Sequence, residues 1–247
     1  MRLLIFGQTG QVARELARAL PAGWQADFLG RGRADLSDPD TCAAVIAASD
    51  AEAVINAAAY TAVDRAEEEE PLANLVNGAA PAAMAVAATA RGLPFVHVST
   101  DYVFEGAHGD YREDDPPGPV SNYYALSKLA AEETARGALP SARLLVVRTS
   151  FRGRKWPHPK AFSDLFTSQD YVDVIAPQVA LAICRAADIP HDTLHIASRR
   201  RSSLELARER SPGVLEASRA EAPVSLPRDI SLNTDRWRAL LAAWSAG

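Results

Sequence analysis

Five short runs of this chain are apolar along their length instead of at every second residue: RLLIF (residues 2–6), ADFLG (26–30), AVINAAA (53–59), PFVHVST (94–100) and RLLVVRTS (143–150). A strand reads this way when both of its faces are buried, the condition of a parallel sheet covered by helices on both sides. Helical segments separate the runs. QVARELARAL (11–20) places Val12, Leu16, Ala19 and Leu20 at helical spacing, and DPDTCAAVIAAS (38–49) opens with Asp38 as N-cap and Pro39 at the first helical position. An Ala-rich helix is predicted over 71–92, kinked at Pro81 and stopped at Gly92, and another over 122–137. Strand and helix in alternation give an α/β fold: a doubly wound parallel sheet, Rossmann-like.

After residue 150 the alternation loosens. The stretch 151–170 is aromatic, basic and proline-punctuated and reads as an irregular loop; a strand (171–175), a helix (177–187), a strand (193–198) and a helix (202–210) follow. A terminal helix over 232–244 is expected to be capped by Asn233 or Thr234. The expected organisation is a core over 1–150 and a small C-terminal lobe over 151–247, integrated into the same domain, as suits 247 residues.

The net charge of −5 carries no basic footprint for nucleic acid, and SRRRSS (198–203) reads as a solvated loop or helix start. The N-terminal apolar run is too short for a signal peptide, and no stretch is expected to approach a membrane span. Cys42 and Cys184 read as reduced core residues, so the expected location is cytoplasmic, without a membrane partner. The five histidines are scattered, no metal site is expected, and His97 reads as a satisfied core residue. Oligomeric state is not legible; a homodimer is allowed.

Between the first strand and first helix lies Gly7-x-x-Gly10-x-x-Ala13. A tight turn there lets the backbone approach a pyrophosphate, with unpaired N–H groups and the positive dipole end of the helix behind it. Gly7, Thr9, Gly10, Gln11 and Val12 are the candidate contacts of a dinucleotide. After the second strand, Arg31 and Arg33 stand where an acid would hold a ribose 2′-hydroxyl, and no acid follows until Asp35. Arginine accommodates a 2′-phosphate, so NADP(H) is favoured and NAD(H) stays open.

Tyr124 and Lys128 are four apart on the 122–137 helix and share a face, whereas Tyr123 diverges and packs or lines a wall. The chain has three lysines among its 26 lysines and arginines, so this one stands out. A nearby ammonium favours a phenolate and would lower the tyrosine pKa toward acid–base use. Ser99 and Thr100 end the fourth strand, where ligands of open α/β sheets sit, and are suited to bond a substrate oxygen.

Taken in order, the glycine turn, NAAAYTAVD (56–64), STDYVF (99–104), Tyr124-x-x-x-Lys128, RTS (148–150) and SLNT (231–234) closely resemble the extended short-chain dehydrogenase/reductases, most specifically the dTDP-4-dehydrorhamnose reductases. The likeness is strong over 1–150 and patchy beyond. It implies reduction by NADPH or NADH of the 4-keto group of a nucleotide-activated deoxysugar, as in dTDP-L-rhamnose biosynthesis. By the same resemblance Tyr124 would give the proton, Lys128 would hold the nicotinamide ribose, and Thr100 would orient the keto oxygen. Asp35 and Leu36 would flank the adenine, Ala57, Ala58 and Ala59 would line the cofactor, and Tyr102 would face the sugar. Dehydratases of the superfamily resemble Thr-Asp-Glu at the fourth strand; Thr100-Asp101-Tyr102 favours plain reduction. The family commonly has tryptophan after RTS, where this chain has Phe151, a candidate substrate contact, with Trp156 nearby as a substitute. Arg152, Arg154, Lys155 and Lys160 are candidates for a diphosphate, or a solvated loop. The alternatives are a non-catalytic NADP-binding regulatory subunit of the methionine adenosyltransferase type and a nucleotide-sugar epimerase.

Overall fold

The computed structural model describes residues 1–140, 143–222 and 226–246. Its centre is a six-stranded sheet of β1 (Arg2–Phe6), β2 (Gln25–Leu29), β3 (Ala53–Asn56), β4 (Phe95–Thr100), β5 (Leu144–Thr149) and β10 (Thr193–His195). The strand order is β2-β1-β3-β4-β5-β10, and every pairing is parallel. The continuous apolar runs are explained by the two cores. Leu3 and Ile5 of β1 pack with Val12 and Leu16 of α1 (Gln11–Ala19) and with α7 (Val172–Cys184). Leu4 and Phe6 face the other way, with Cys42 and Ile46 of α2 (Pro39–Ala48), and with the two helices named next.

These are α5 (Ala80–Ala90) and α6 (Tyr123–Ala138); two short helices, α3 (Val63–Ala66) and α4 (Glu70–Asn74), precede α5. The expected single helix over 71–92 is instead α4, a π turn over Leu75–Ala79, and α5. Pro81 explains the change, because a proline cannot donate to the carbonyl four residues back and its ring crowds it. The wider turn, closed by the Ala80 N–H on the Leu75 carbonyl, absorbs the misfit and keeps the rod continuous. Against expectation, this rod of 21 residues (Glu70–Ala90) is long and apolar enough to match a membrane span by composition. Here its Ala-rich surface packs on α2 and α6.

Beyond residue 150 the expected loop contains β6 (Phe151–Arg152), β7 (Lys160–Phe162), β8 (Phe166–Thr167) and β9 (Asp170–Tyr171). β11 (Arg201–Ser202) pairs with β8, β12 (Leu215–Ala217) with β7, and β6 with β9. The strand expected over 171–175 is a correction: apart from Tyr171 it is the start of α7, which runs through Pro177. That proline deletes one bond near the start of the helix, and the apolar face packed on α1 outweighs the loss. α8 (Ser203–Arg210) begins with a Ser202–Glu205 capping box, and α9 (Asp235–Ala246) begins with the Asn233 side chain accepting the Asp235 N–H at 2.9 Å. Trp237 of α9 is buried in the α1–α7 core.

β2 lies on one side of β1 and β3 on the other, so the chain reverses direction across the sheet at the carboxyl ends of β1 and β3. Gly7 stands at that point with φ of +116°. A Cβ there would meet the Ala57 backbone at 3.3 Å, and the left-handed conformation itself strains any other residue. Gly7→Ala is expected to lower stability by roughly 1–3 kcal/mol in urea titrations.

Candidate active site

α1 starts directly after the glycine turn. Its N-cap, Gly10, brings no side-chain cap, and no acidic residue lies in the first turn. The first-turn N–H groups and the positive dipole end are therefore open to an anion. Thr9, Gly10 and Gln11 are exposed, whereas the Val12 side chain is buried in the sheet core and leaves only its backbone for a ligand. The Gln11 side chain lies beside Gly153, so the segment after β6 passes over this helix end.

The two arginines after β2 separate. Arg33 is paired with Asp27 at the surface by two bonds of 2.6 and 2.8 Å, so a phosphate would compete with that carboxylate for it. Arg31 is exposed and has no ion-pair partner among the described residues. Asp35 accepts from the Ser37 N–H and hydroxyl, both at 2.9 Å, and these bonds hold its carboxyl below the usual range. Leu36 is buried with Ala34, Cys42 and Ile46, beneath the surface where it was expected to flank a base.

The strand expected over 53–59 ends at Asn56, because the Asn56 Oδ1 takes the Ala58 N–H at 3.1 Å and turns the chain. Ala57, Ala58 and Ala59 follow, half-buried and without bulk, beside Gly7. Asn77 fixes the far end of this turn. Its Oδ1 accepts the Tyr60 N–H at 2.8 Å, and its Nδ2 donates to the Tyr60 carbonyl at 3.0 Å and to the Ser127 hydroxyl at 3.1 Å.

At the end of β4 the structure brings together Thr100, Tyr102 and Tyr124. Asn122 caps α6 by accepting the Ala125 N–H at 2.8 Å, so Tyr124 projects from the first turn of the helix. The Thr100 hydroxyl faces the Tyr124 phenol, and the Tyr102 ring meets Tyr124 edge-on at 6.0 Å. Thr100 is oriented from below, donating to Asp101 Oδ1 at 3.2 Å while accepting the Tyr102 N–H at 3.2 Å. Ser99, expected beside Thr100, instead donates inward to Glu132. That carboxylate also holds Arg148, with a bond of 2.8 Å from Nη2, and Arg136, at 3.1 Å.

The expected influence of lysine on tyrosine is corrected. Burial pushes the Tyr124 phenol above its ordinary pKa, with the Thr100 hydroxyl offsetting part of this. Lys128, only 1% exposed, turns its Nζ away, to the Val98 carbonyl at 2.8 Å and His97 Nε2 at 3.1 Å, and burial pushes its pKa down to about 8. Burial likewise raises Asp101 to about 6, with the Ser150 and Thr100 hydroxyls offsetting part of the shift.

The segment after β5 also departs from expectation. Phe151 packs half-buried on the α1–α7 core, away from the tyrosine cluster. Arg152 is the residue whose charge is felt by Asp101 and Tyr102; it stacks on the Trp156 ring at 4.6 Å, and its buried Nε has no hydrogen-bond partner among the described residues. Trp156 is buried in a separate cluster with Tyr171 and Leu206, so it does not replace the missing tryptophan. Arg154 is held by Glu15 at 2.7 Å and Lys160 by Glu221 at 3.2 Å, leaving Arg152 and Lys155 of the four basic candidates. Asn56, Asn77 and Asp101 were missed by sequence reasoning, and Arg152 was read there only as a diphosphate candidate. The usable signal was a polar residue inside an apolar run, as in AVIN and LVNGA.

The model of the RmlD substrate binding domain matches residues 1–211. The chain belongs to the RmlD family of extended short-chain dehydrogenase/reductases. Relatives include a dTDP-4-dehydrorhamnose reductase of Burkholderia thailandensis, 47% identical over 53% of this chain and 44% of the relative. Another, of Sinorhizobium fredii, is 36% identical over 82% of this chain and 68% of the relative. The chain thus spans about half to two thirds of the length of these relatives. Among solved structures, the dTDP-4-dehydrorhamnose reductase of Clostridium acetobutylicum superposes with a TM-score of 0.86 at 25% identity, covering 98% of this chain and 93% of that one.

The raised carboxyl of Asp101 has a measurable consequence. Its proton is held more tightly in the folded state than in the unfolded one, where the pKa is 3.8. This contribution to stability is complete below pH 3.8 and is lost as pH rises through about 6. Relative to the parent protein, Asp101→Asn is expected to gain roughly 2 kcal/mol between pH 4 and pH 7 in urea titrations.

Proposed function

We propose that this chain is an NAD(P)H-dependent reductase of the 4-keto group of a nucleotide-activated deoxysugar, of the dTDP-4-dehydrorhamnose reductase kind, working in the cytoplasm. The observation that carries the reading is the Thr100–Tyr124 pair at the carboxyl end of β4, with Lys128 one turn further along the same helix face. The dinucleotide fits the other half of the site. Gly7 admits close approach, Ala57, Ala58 and Ala59 add no bulk, and the uncapped start of α1 presents free donors. NADP(H) is favoured by Arg31, which has no ion-pair partner among the described residues, with NAD(H) as the alternative; Arg33 is engaged by Asp27.

When bound, the cofactor supplies the hydride. Thr100 orients the keto oxygen, and Tyr124 gives its proton to that oxygen as negative charge develops. A phenol held neutral by burial suits this direction of reaction, because it must arrive protonated. Lys128 holds the nicotinamide ribose. Tyr102 forms the wall against the sugar, and the segment after residue 150 covers the site, with Arg152 in the place expected of Phe151.

The test mixes the protein with dTDP-4-keto-6-deoxy-L-lyxo-hexulose and follows oxidation of NADPH and then NADH by absorbance. Turnover that Tyr124→Phe reduces by at least about 100-fold is expected. Arg31→Ala is expected to erode the preference for NADPH. Absence of turnover with cofactor binding retained would remove this substrate and leave a different keto sugar or a regulatory role.

A further inference from the structure

Three polar side chains lie inside apolar elements and touch one another. Asn56 ends β3, His97 is in the middle of β4, and Lys128 is on α6; none is more than 1% exposed. The Ala58 N–H meets Asn56 Oδ1 at 3.1 Å, Asn56 Nδ2 meets His97 Nδ1 at 3.2 Å, and His97 Nε2 meets Lys128 Nζ at 3.1 Å. Lys128 Nζ also donates to the Val98 carbonyl at 2.8 Å.

The polarity of this chain of contacts follows from its first member. A backbone N–H can only donate, so the amide oxygen of Asn56 must face Ala58. The amide nitrogen, which also only donates, therefore faces His97 Nδ1, and that nitrogen must carry a lone pair. Burial keeps the imidazole neutral, so its proton sits on Nε2. An Nε2–H directed at Nζ needs an acceptor. An ammonium has none, whereas a neutral amine has one lone pair and keeps an N–H for the Val98 carbonyl. The surrounding charges do not reverse this. Glu132, one turn along α6, favours the ammonium from a distance, but its oxygens are bonded to Ser99 of β4, Arg148 of β5 and Arg136 of its own helix. Arg136 in turn disfavours charge on His97, and Tyr124, one turn earlier, faces Thr100.

We propose that Asn56 and His97 are positioning residues that favour the neutral amine form of Lys128 and draw it against β4 in the cofactor-free protein. The consequence for catalysis rests on the reading above that Lys128 meets the nicotinamide ribose. To reach it as an ammonium, Lys128 leaves His97 and gains a proton, so cofactor binding is coupled to proton uptake.

The first test uses the cofactor-free parent protein, labelled with 15N and 13C. NMR is expected to show His97 protonated on Nε2 and bare on Nδ1, and the Lys128 Cε signal titrating at least two pH units below those of Lys155 and Lys160. A His97 proton on Nδ1, or Lys128 titrating with the other two lysines, overturns the proposal without any substitution. Asn56→Asp inverts the polarity, since a carboxylate still accepts from Ala58 but cannot donate to His97. It is expected to move the His97 proton to Nδ1 and raise the Lys128 midpoint by at least one unit; an unchanged tautomer in the folded variant counts against the proposal. A merely structural role would leave the tautomer where it was. Calorimetry of NADPH binding in buffers of different ionisation enthalpy separates the two readings. Uptake of about one proton between pH 8 and 10.5 is expected. Binding without uptake, with the His97 tautomer as expected, supports the latch and removes the Lys128–ribose contact.

Discussion

A parallel sheet buried on both faces leaves no solvent for the polar groups inside it, and each such group must find its partner within the protein. Every strand from β1 to β5 lies under helices on one face or the other, so a polar side chain on an inner strand has only neighbouring elements to bond. Arg148 of β5 does so through Glu132 of α6, with Ser99 of β4 as a third member. Asn56, His97 and Lys128 do so across β3, β4 and α6. Both sets tie α6 to the sheet at fixed height, and Tyr124 is carried on that helix. The placement of the phenol opposite Thr100 is thus a result of pairing requirements two turns deeper in the molecule.

The same burial sets the chemistry. Lysine one turn from a tyrosine is commonly expected to act on it through charge, but here Lys128 is engaged with His97 and Val98, and desolvation dominates the tyrosine. A phenol kept neutral is a proton donor awaiting an alkoxide, whereas a phenolate would serve oxidation. Asp101 adds a buried carboxyl beneath Thr100 that orients the hydroxyl.

The segment after residue 150 has a small apolar cluster of its own around Trp156, Tyr171 and Leu206 and packs α7 on α1, with ion pairs added at its edges. Arg154 reaches back to Glu15 on α1, and Arg201 is buried against Asp170 at 2.7 Å. Burying the Arg201–Asp170 pair is a weak source of stability, but losing one partner would leave an uncompensated buried charge, so the pair specifies how the segment folds on itself.

The order of strands and helices up to residue 150, the turn at Gly7, and the shared face of Tyr124 and Lys128 were legible in the sequence, because they depend on local periodicity and on what glycine alone permits. Three kinds of feature were not. The π turn before Pro81 and the run of α7 through Pro177 depend on packing faces that outweigh a lost hydrogen bond. Arg33, Arg154 and Lys160 look identical to free cations in the sequence, and only the approach of Asp27, Glu15 and Glu221 shows them engaged. The direction of the tyrosine pKa shift and the role of His97 depend on distance and desolvation between elements far apart in the chain. Sequence alone determined which groups this protein carries to the carboxyl end of its sheet; the tertiary structure decided which of them remain free to act, because pairing in a dry interior is settled by three-dimensional neighbours and not by spacing along the chain.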